Sequence, residues 1–113
     1  MIYRVVLTPR ADADLRAAYR YIRKEAPRAA RDWIRRARLS IRTLSQHPER
    51  CSTAPESASL ERPIRELLFG SGNRGTYRVL FLVLQEKGSV YVLHVRHGSM
   101  LPLEPDEQQL QYP

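Results

Sequence analysis

Five side chains in this sequence could do chemistry: Arg65, Arg78, His94, Arg96 and His97. All fall within one run, PIRELLFGSGNRGTYRVLFLVLQEKGSVYVLHVRH, from Pro63 to His97, whose other residues are largely Val, Leu, Ile, Tyr and Phe. A guanidinium binds phosphate or carboxylate through two parallel N–H donors. An imidazole exchanges a proton near neutral pH. Together these groups could hold a phosphate and serve as acid or base beside it. Charges placed in apolar strands are costly to bury alone, so each either faces water at a strand end or belongs to a site. Alternation along a strand puts Arg78 on one face with Leu80, Leu82 and Leu84. It puts His94 and Arg96 on one face and Val95 and His97 on the other. That parity argues against a metal held by His94 and His97. No Asp or Glu falls between His94 and Gly98.

The elements that position these groups follow from pattern. Ile64 to Phe69, Thr76 to Leu84 and Ser89 to His97 are apolar runs split by turn signals at 70–75 and 85–88, as in an antiparallel meander. Upstream, Ile2 to Leu7 has the composition of a strand. Thr8 then stands as a helix cap, with Pro9 at the first helical position and Asp12 and Asp14 at the positive end of the dipole. Ala11, Leu15, Ala18, Tyr19 and Ile22 form one helical stripe, which Pro27 ends. A second helix from about Pro27 to Gln46 carries Ala30, Trp33, Ile34, Ala37, Ile41 and Leu44 on one side. The tight link makes the two helices an antiparallel hairpin, whose apolar side needs the sheet to cover. Residues 47–63 contain Pro48, Pro55 and Pro63 and read as a loop without regular structure. Pro102, Pro105 and Pro113 argue against a long helix in the tail, 98–113.

The chain has 113 residues and a net charge of +7, with 17 Arg against 2 Lys. The length suits a single domain, 1–113. The charge points to an acidic partner, nucleic acid or protein. It is unevenly placed: residues 1–50 carry 13 basic and 5 acidic residues. Arg31, Arg35, Arg38 and Arg42 form a row on the second helix, and Arg16, Arg20 and Arg23 a row on the first. Each is either a phosphate-binding face or a solvated face paired locally with Asp32 and Glu25. Cys51 is the only cysteine, which excludes an internal disulfide and a cysteine-rich metal site. It lies in a polar stretch and is read as incidental. A lone cysteine fits a reducing cytoplasm. No apolar run reaches the ~20 residues of a membrane span, and the N-terminus lacks the pattern of a signal peptide. There is no phosphate loop, dinucleotide fingerprint or nucleophile elbow, and no cofactor is expected.

Taken in order, several short motifs resemble the RelE/ParE superfamily of toxins from bacterial type II toxin–antitoxin modules. They are Tyr3-Arg4-Val5-Val6-Leu7-Thr8-Pro9 with Ala13-Asp14-Leu15, Tyr19-Arg20-Tyr21-Ile22, and Leu44-Ser45-Gln46-His47-Pro48-Glu49-Arg50. Arg65-Glu66-Leu67, Tyr77-Arg78-Val79-Leu80-Phe81 and Val90 to Gly98 continue the likeness. The resemblance implies an α+β fold, β-α-α-β-β-β, with the helical hairpin packed on a four-stranded antiparallel sheet. It implies an acidic cognate antitoxin. It also implies one of two targets: the ribosome and its mRNA, cut by a metal-independent endoribonuclease, or DNA gyrase, inhibited without catalysis. For the nuclease, Arg78 would sit on the scissile phosphate, with Arg96 as a second cation, His97 or His94 as acid–base, and Arg65 nearby on the preceding strand. Leu67 takes a position where such nucleases carry a lysine, and residues 101–111 contain neither Tyr nor Lys.

Overall fold

Strand β1, Arg4–Leu7, runs directly into helix α1, Pro9–Arg23, through Thr8. Thr8 is extended, and its Oγ1 accepts the Ala11 N–H at 3.3 Å. The same hydroxyl donates to the Val92 carbonyl at 2.7 Å. One buried side chain thus caps the helix and pins its start to the last strand. Helix α2, Pro27–Arg42, opens on its own proline. It gives way to a 3₁₀ turn over Thr43–Ser45, a few residues earlier than the expected end at Gln46. The computed structural model describes residues 1–59, 63–70 and 75–100. The middle of the expected 70–75 turn and the tail beyond residue 100 lie outside the described residues.

Strands β2 (Ile64–Phe69), β3 (Tyr77–Leu84) and β4 (Ser89–His97) form the expected antiparallel meander. The sheet order is β1-β4-β3-β2. The α+β order holds, with one correction: β1 pairs parallel to β4, Val5 opposite Val90, so the sheet is mixed and not antiparallel throughout. The reason lies in the connector between α2 and β2. It carries the chain back along the sheet, so β2 starts in the direction of β1. Two hairpin reversals then return β4 to that direction. Nor is the connector structureless. It has 3₁₀ turns at Pro48–Arg50 and Pro55–Ser59. Its middle lies along the free edge of β2, where Ala54 N–H donates to Ile64 O at 2.7 Å and Glu66 N–H to Ser52 O at 3.0 Å. A sheet edge that would otherwise invite pairing is thereby closed by the chain itself. Cys51 is buried in the core instead of lying on a polar surface.

The core fills the space between hairpin and sheet. Ala11, Leu15 and Ile22 of α1 and Ala30, Trp33, Ala37 and Ile41 of α2 meet Val79, Phe81, Val90, Val92 and Val95. The opposite sheet face is also apolar and buried: Ile64, Leu80, Leu82, Leu84, Tyr91 and Leu93 pack with Ala54. Burial on both faces explains why these strands read as nearly continuous hydrophobic runs. The β3–β4 register slips at Leu80/Phe81, which face His94 and Val92 and leave Leu93 as the extra residue of a bulge. Trp33 anchors the helix-side core, edge-on to Tyr77 at 4.9 Å and tilted against Phe69 at 5.8 Å. Trp33→Ala is expected to cost about 3–5 kcal/mol, read as a lowered midpoint in urea unfolding. Trp33→Phe should recover most of that loss.

Candidate functional site

The end of the sheet where β3 starts and β4 finishes brings together three of the five expected residues, Arg78, Arg96 and His97. Arg78 pairs in register with Arg96, and Tyr77 with His97. Arg65 is set apart. It sits opposite Phe81 on β2, while Arg78 sits opposite Leu68, so the two arginines face different sides of the sheet. The Arg65 guanidinium donates to the carbonyls of Cys51 at 2.6 Å and Glu49 at 3.3 Å, which ties the connector to the sheet edge.

Arg78 is only 8% exposed. Its Nη1 and Nη2 donate to the two carboxylate oxygens of Glu56 at 3.1 and 2.7 Å, a fork-to-fork pair. Its Nε donates to Glu66 at 2.7 Å. Hydrogen bonding to Glu56, ahead of the opposing effect of burial, raises the affinity of this guanidinium for its proton. Two arginines directly across a strand pair repel. With Glu56 and Glu66 the set of four is neutral, which lets Arg78 and Arg96 face each other. The sequence motif around Arg96 contains no acid, and the partners arrive from elsewhere: Glu66 from β2, Glu56 from the 3₁₀ turn of the connector. Sequence reasoning missed Glu56. The signal available was a glutamate next to a proline in a long connector.

His97 stands edge-on to Tyr77 at 5.0 Å. Its Nδ1 accepts the Ser99 N–H at 3.1 Å and lies 2.7 Å from Ser99 Oγ. Accepting a backbone N–H places the ring proton on Nε2. Gly75 has φ +71°, and a Cβ there would stand 2.9 Å from His97 Nε2, so both conformation and space call for glycine. Arg96 lines a groove of about 610 Å³ between α1 and the end of β4, together with Ala17, Tyr21, Ile22, Glu25 and Met100. Tyr21 and Met100 are 76% and 50% exposed there.

His94 is 3% exposed, and neither ring nitrogen has a hydrogen-bond partner. Its Nδ1 lies 3.8 Å from Asp14 Oδ2. That carboxylate is engaged with the Val95 N–H at 2.9 Å, where β1 has ended and left the β4 edge open, and with Arg10 at 3.0 Å. Desolvation by burial pushes the His94 pKa down. Asp14 and Glu56 oppose this, and Arg10 and Arg96 reinforce it. His94 is therefore a neutral core residue at physiological pH, not an acid–base group facing a substrate.

Two outcomes follow. Removing one member of the Glu56–Arg78 pair leaves a buried, uncompensated charge. Arg78→Met or Glu56→Leu alone should each cost about 3–5 kcal/mol. The double variant should lose far less than the sum in urea unfolding. For His94, the unfolded chain takes up its proton near pH 6.5 and the native protein only at lower pH. Stability should thus fall as pH drops through 6.5 towards the native value. His94→Leu should flatten that part of the profile between pH 7.5 and 5.5.

The comparisons with known proteins come to the same architecture. One solved structure, the chromosomal ParDE toxin–antitoxin system from P. aeruginosa, matches with a TM-score of 0.64 and 20% identity over 85% of this chain and 96% of that one. Another, the toxin–antitoxin complex RelBE2 from Mycobacterium tuberculosis, matches with a TM-score of 0.53 and 24% identity, covering 88% and 95%. No curated protein matches the sequence. Among the described residues no helix is long and apolar enough to cross a membrane. The family model of the ParE toxin of the type II toxin–antitoxin system parDE matches residues 5–102, nearly the whole sheet-and-hairpin unit, and the chain belongs to that family.

Proposed function

We propose that this toxin arrests growth by binding its target without catalysis, as a ParE-like inhibitor of DNA gyrase, and not as a ribosome-dependent mRNA endoribonuclease. The observation that carries this reading is the engagement of Arg78. A nuclease of the RelE kind would need that guanidinium aimed at the scissile phosphate. Here three of its N–H donors go to Glu56 and Glu66, with Glu56 on both terminal nitrogens. A phosphate would have to displace a buried carboxylate to reach it. Arg65, the other strand cation, is committed to carbonyls of the connector. Arg96 and His97 stand beside this pair as a cation and an imidazole, but without the phosphate clamp that the reaction needs. A binder needs none of these groups in a catalytic geometry.

The cognate partner in this reading is an antitoxin whose acidic, amphipathic segment lies in the groove between α1 and β4. Tyr21, Met100 and Ile22 offer it apolar contact, and Arg96 offers it a cation. Both relatives described above are toxin–antitoxin complexes, which supports a partner of this kind.

The test runs two reactions with the purified toxin. In a gyrase supercoiling assay, inhibition is expected at toxin concentrations comparable to the enzyme. On translating ribosomes, the mRNA should stay intact. Cleavage of mRNA that disappears in the Arg78→Ala/Arg96→Ala variant would contradict the proposal and restore the nuclease reading.

A further inference from the structure

The whole net charge of the protein sits in its helical hairpin. Between Pro9 and Arg42 there are 11 basic and 4 acidic residues, an excess of seven, against +7 for the full chain. The remaining 8 basic and 8 acidic residues cancel. Within α2 the charge is further ordered. Arg28, Arg31, Arg35, Arg38 and Arg42 recur at steps of three and four, so they share a stripe no wider than about 80° at 100° per residue. All five are exposed. The stripe points away from Ala30, Trp33, Ala37 and Ile41, which bury the other side of the helix.

Local pairing does not account for this row. Asp32 is the only acid on α2, and it pairs with Arg35 at 3.3 Å and with Arg36, which lies off the stripe, at 3.2 Å. Arg28, Arg31, Arg38 and Arg42 make no ion pair among the described residues. Like charges three and four residues apart destabilise a helix by a few tenths of a kcal/mol per pair. The stripe therefore opposes folding slightly and serves no visible packing role.

The geometry points to a binding face for duplex DNA on the outer side of α2. The five guanidinium groups span 15 residues, 14 steps or about 21 Å of straight helix. One DNA strand presents about six phosphates over that length, at ~3.4 Å each along the axis. A rigid row of cations at this density matches a regular polyanion better than a folded acidic protein, whose carboxylates are not evenly spaced. The row is matched to the spacing of backbone phosphates, which carry no sequence information, so the binding is independent of sequence. The face lies on the helical layer, with the sheet between it and the Leu80 side. It can be occupied whatever the protein target is.

The test uses the full-length toxin and a fluorescent 30-base-pair duplex of arbitrary sequence, with anisotropy followed from 50 to 200 mM salt. Five phosphate contacts predict a log–log slope near −4.5, or about 500-fold weaker binding across that range. Arg31→Gln/Arg38→Gln should make the slope shallower by about two. Arg4→Gln/Lys87→Gln removes the same charge from elsewhere and should leave it unchanged. Arg31→Lys/Arg38→Lys should retain binding, because point charges suffice for phosphate. Circular dichroism checks that each variant is folded. Absence of duplex binding at 50 mM salt, equal effects of the two glutamine variants, or tighter binding to polyglutamate than to the duplex would overturn the proposal.

Discussion

A guanidinium enclosed by a sheet face and two carboxylates sets the terms for the rest of this molecule. Arg78 lies in the most apolar strand, next to residues that are fully buried, and a lone charge there would be prohibitive. Glu56 and Glu66 make it tolerable, and in doing so they fix the path of the chain. Glu66 comes with the β2–β3 register. Glu56 has to be delivered by the connector, which lies along the β2 edge for three residues before its 3₁₀ turn places the carboxylate beneath Arg78. The connector thus closes the sheet edge and neutralises the charge in one passage. The same neutrality lets Arg96 stand across from Arg78. It leaves the end of β4 free to form one wall of the groove against α1.

Much of this was legible in sequence, because local rules and the global fold agree. Thr8-Pro9 announces a helix start, and the structure adds that the same hydroxyl holds β4. The three strands of the meander fall close to where alternation and turn residues put them. What escaped detection was long-range. The direction of β1 depends on where the connector takes the chain, and nothing between residues 47 and 63 encodes that in a local pattern. Burial of Cys51 has the same origin. The partners of the expected site residues escaped detection for a related reason. Arg78, Arg96 and His97 are close in space as expected, and Arg65 is not. Glu56, 22 residues upstream of Arg78, folds onto that arginine and offsets its charge. A strand motif cannot reveal a partner that arrives from a loop.

Charge in this protein is consequently divided between two layers. At the sheet end, opposite charges are matched at short range around the buried Arg78 guanidinium, where they hold shape. On the helices, arginines stand in water with few partners, where they add little to stability but generate a field that extends about a Debye length. His94 joins the two layers. Its ring sits where α1 meets β4, surrounded by Asp14, Arg10, Arg96 and Glu56, and stays neutral because burial outweighs the attraction of the acids.

The account rests on Arg78 being a structural clamp and not an anion receptor, and its own side-chain N–H group reports on this most directly. In a ¹⁵N NMR spectrum of the toxin, the Arg78 Nε–H signal should be sharp and slow to exchange with water. It should not shift when inorganic phosphate or a short RNA is added. A signal broadened by rapid solvent exchange, or one that moves on phosphate addition while the backbone spectrum stays native, would contradict the clamp and return Arg78 to catalysis.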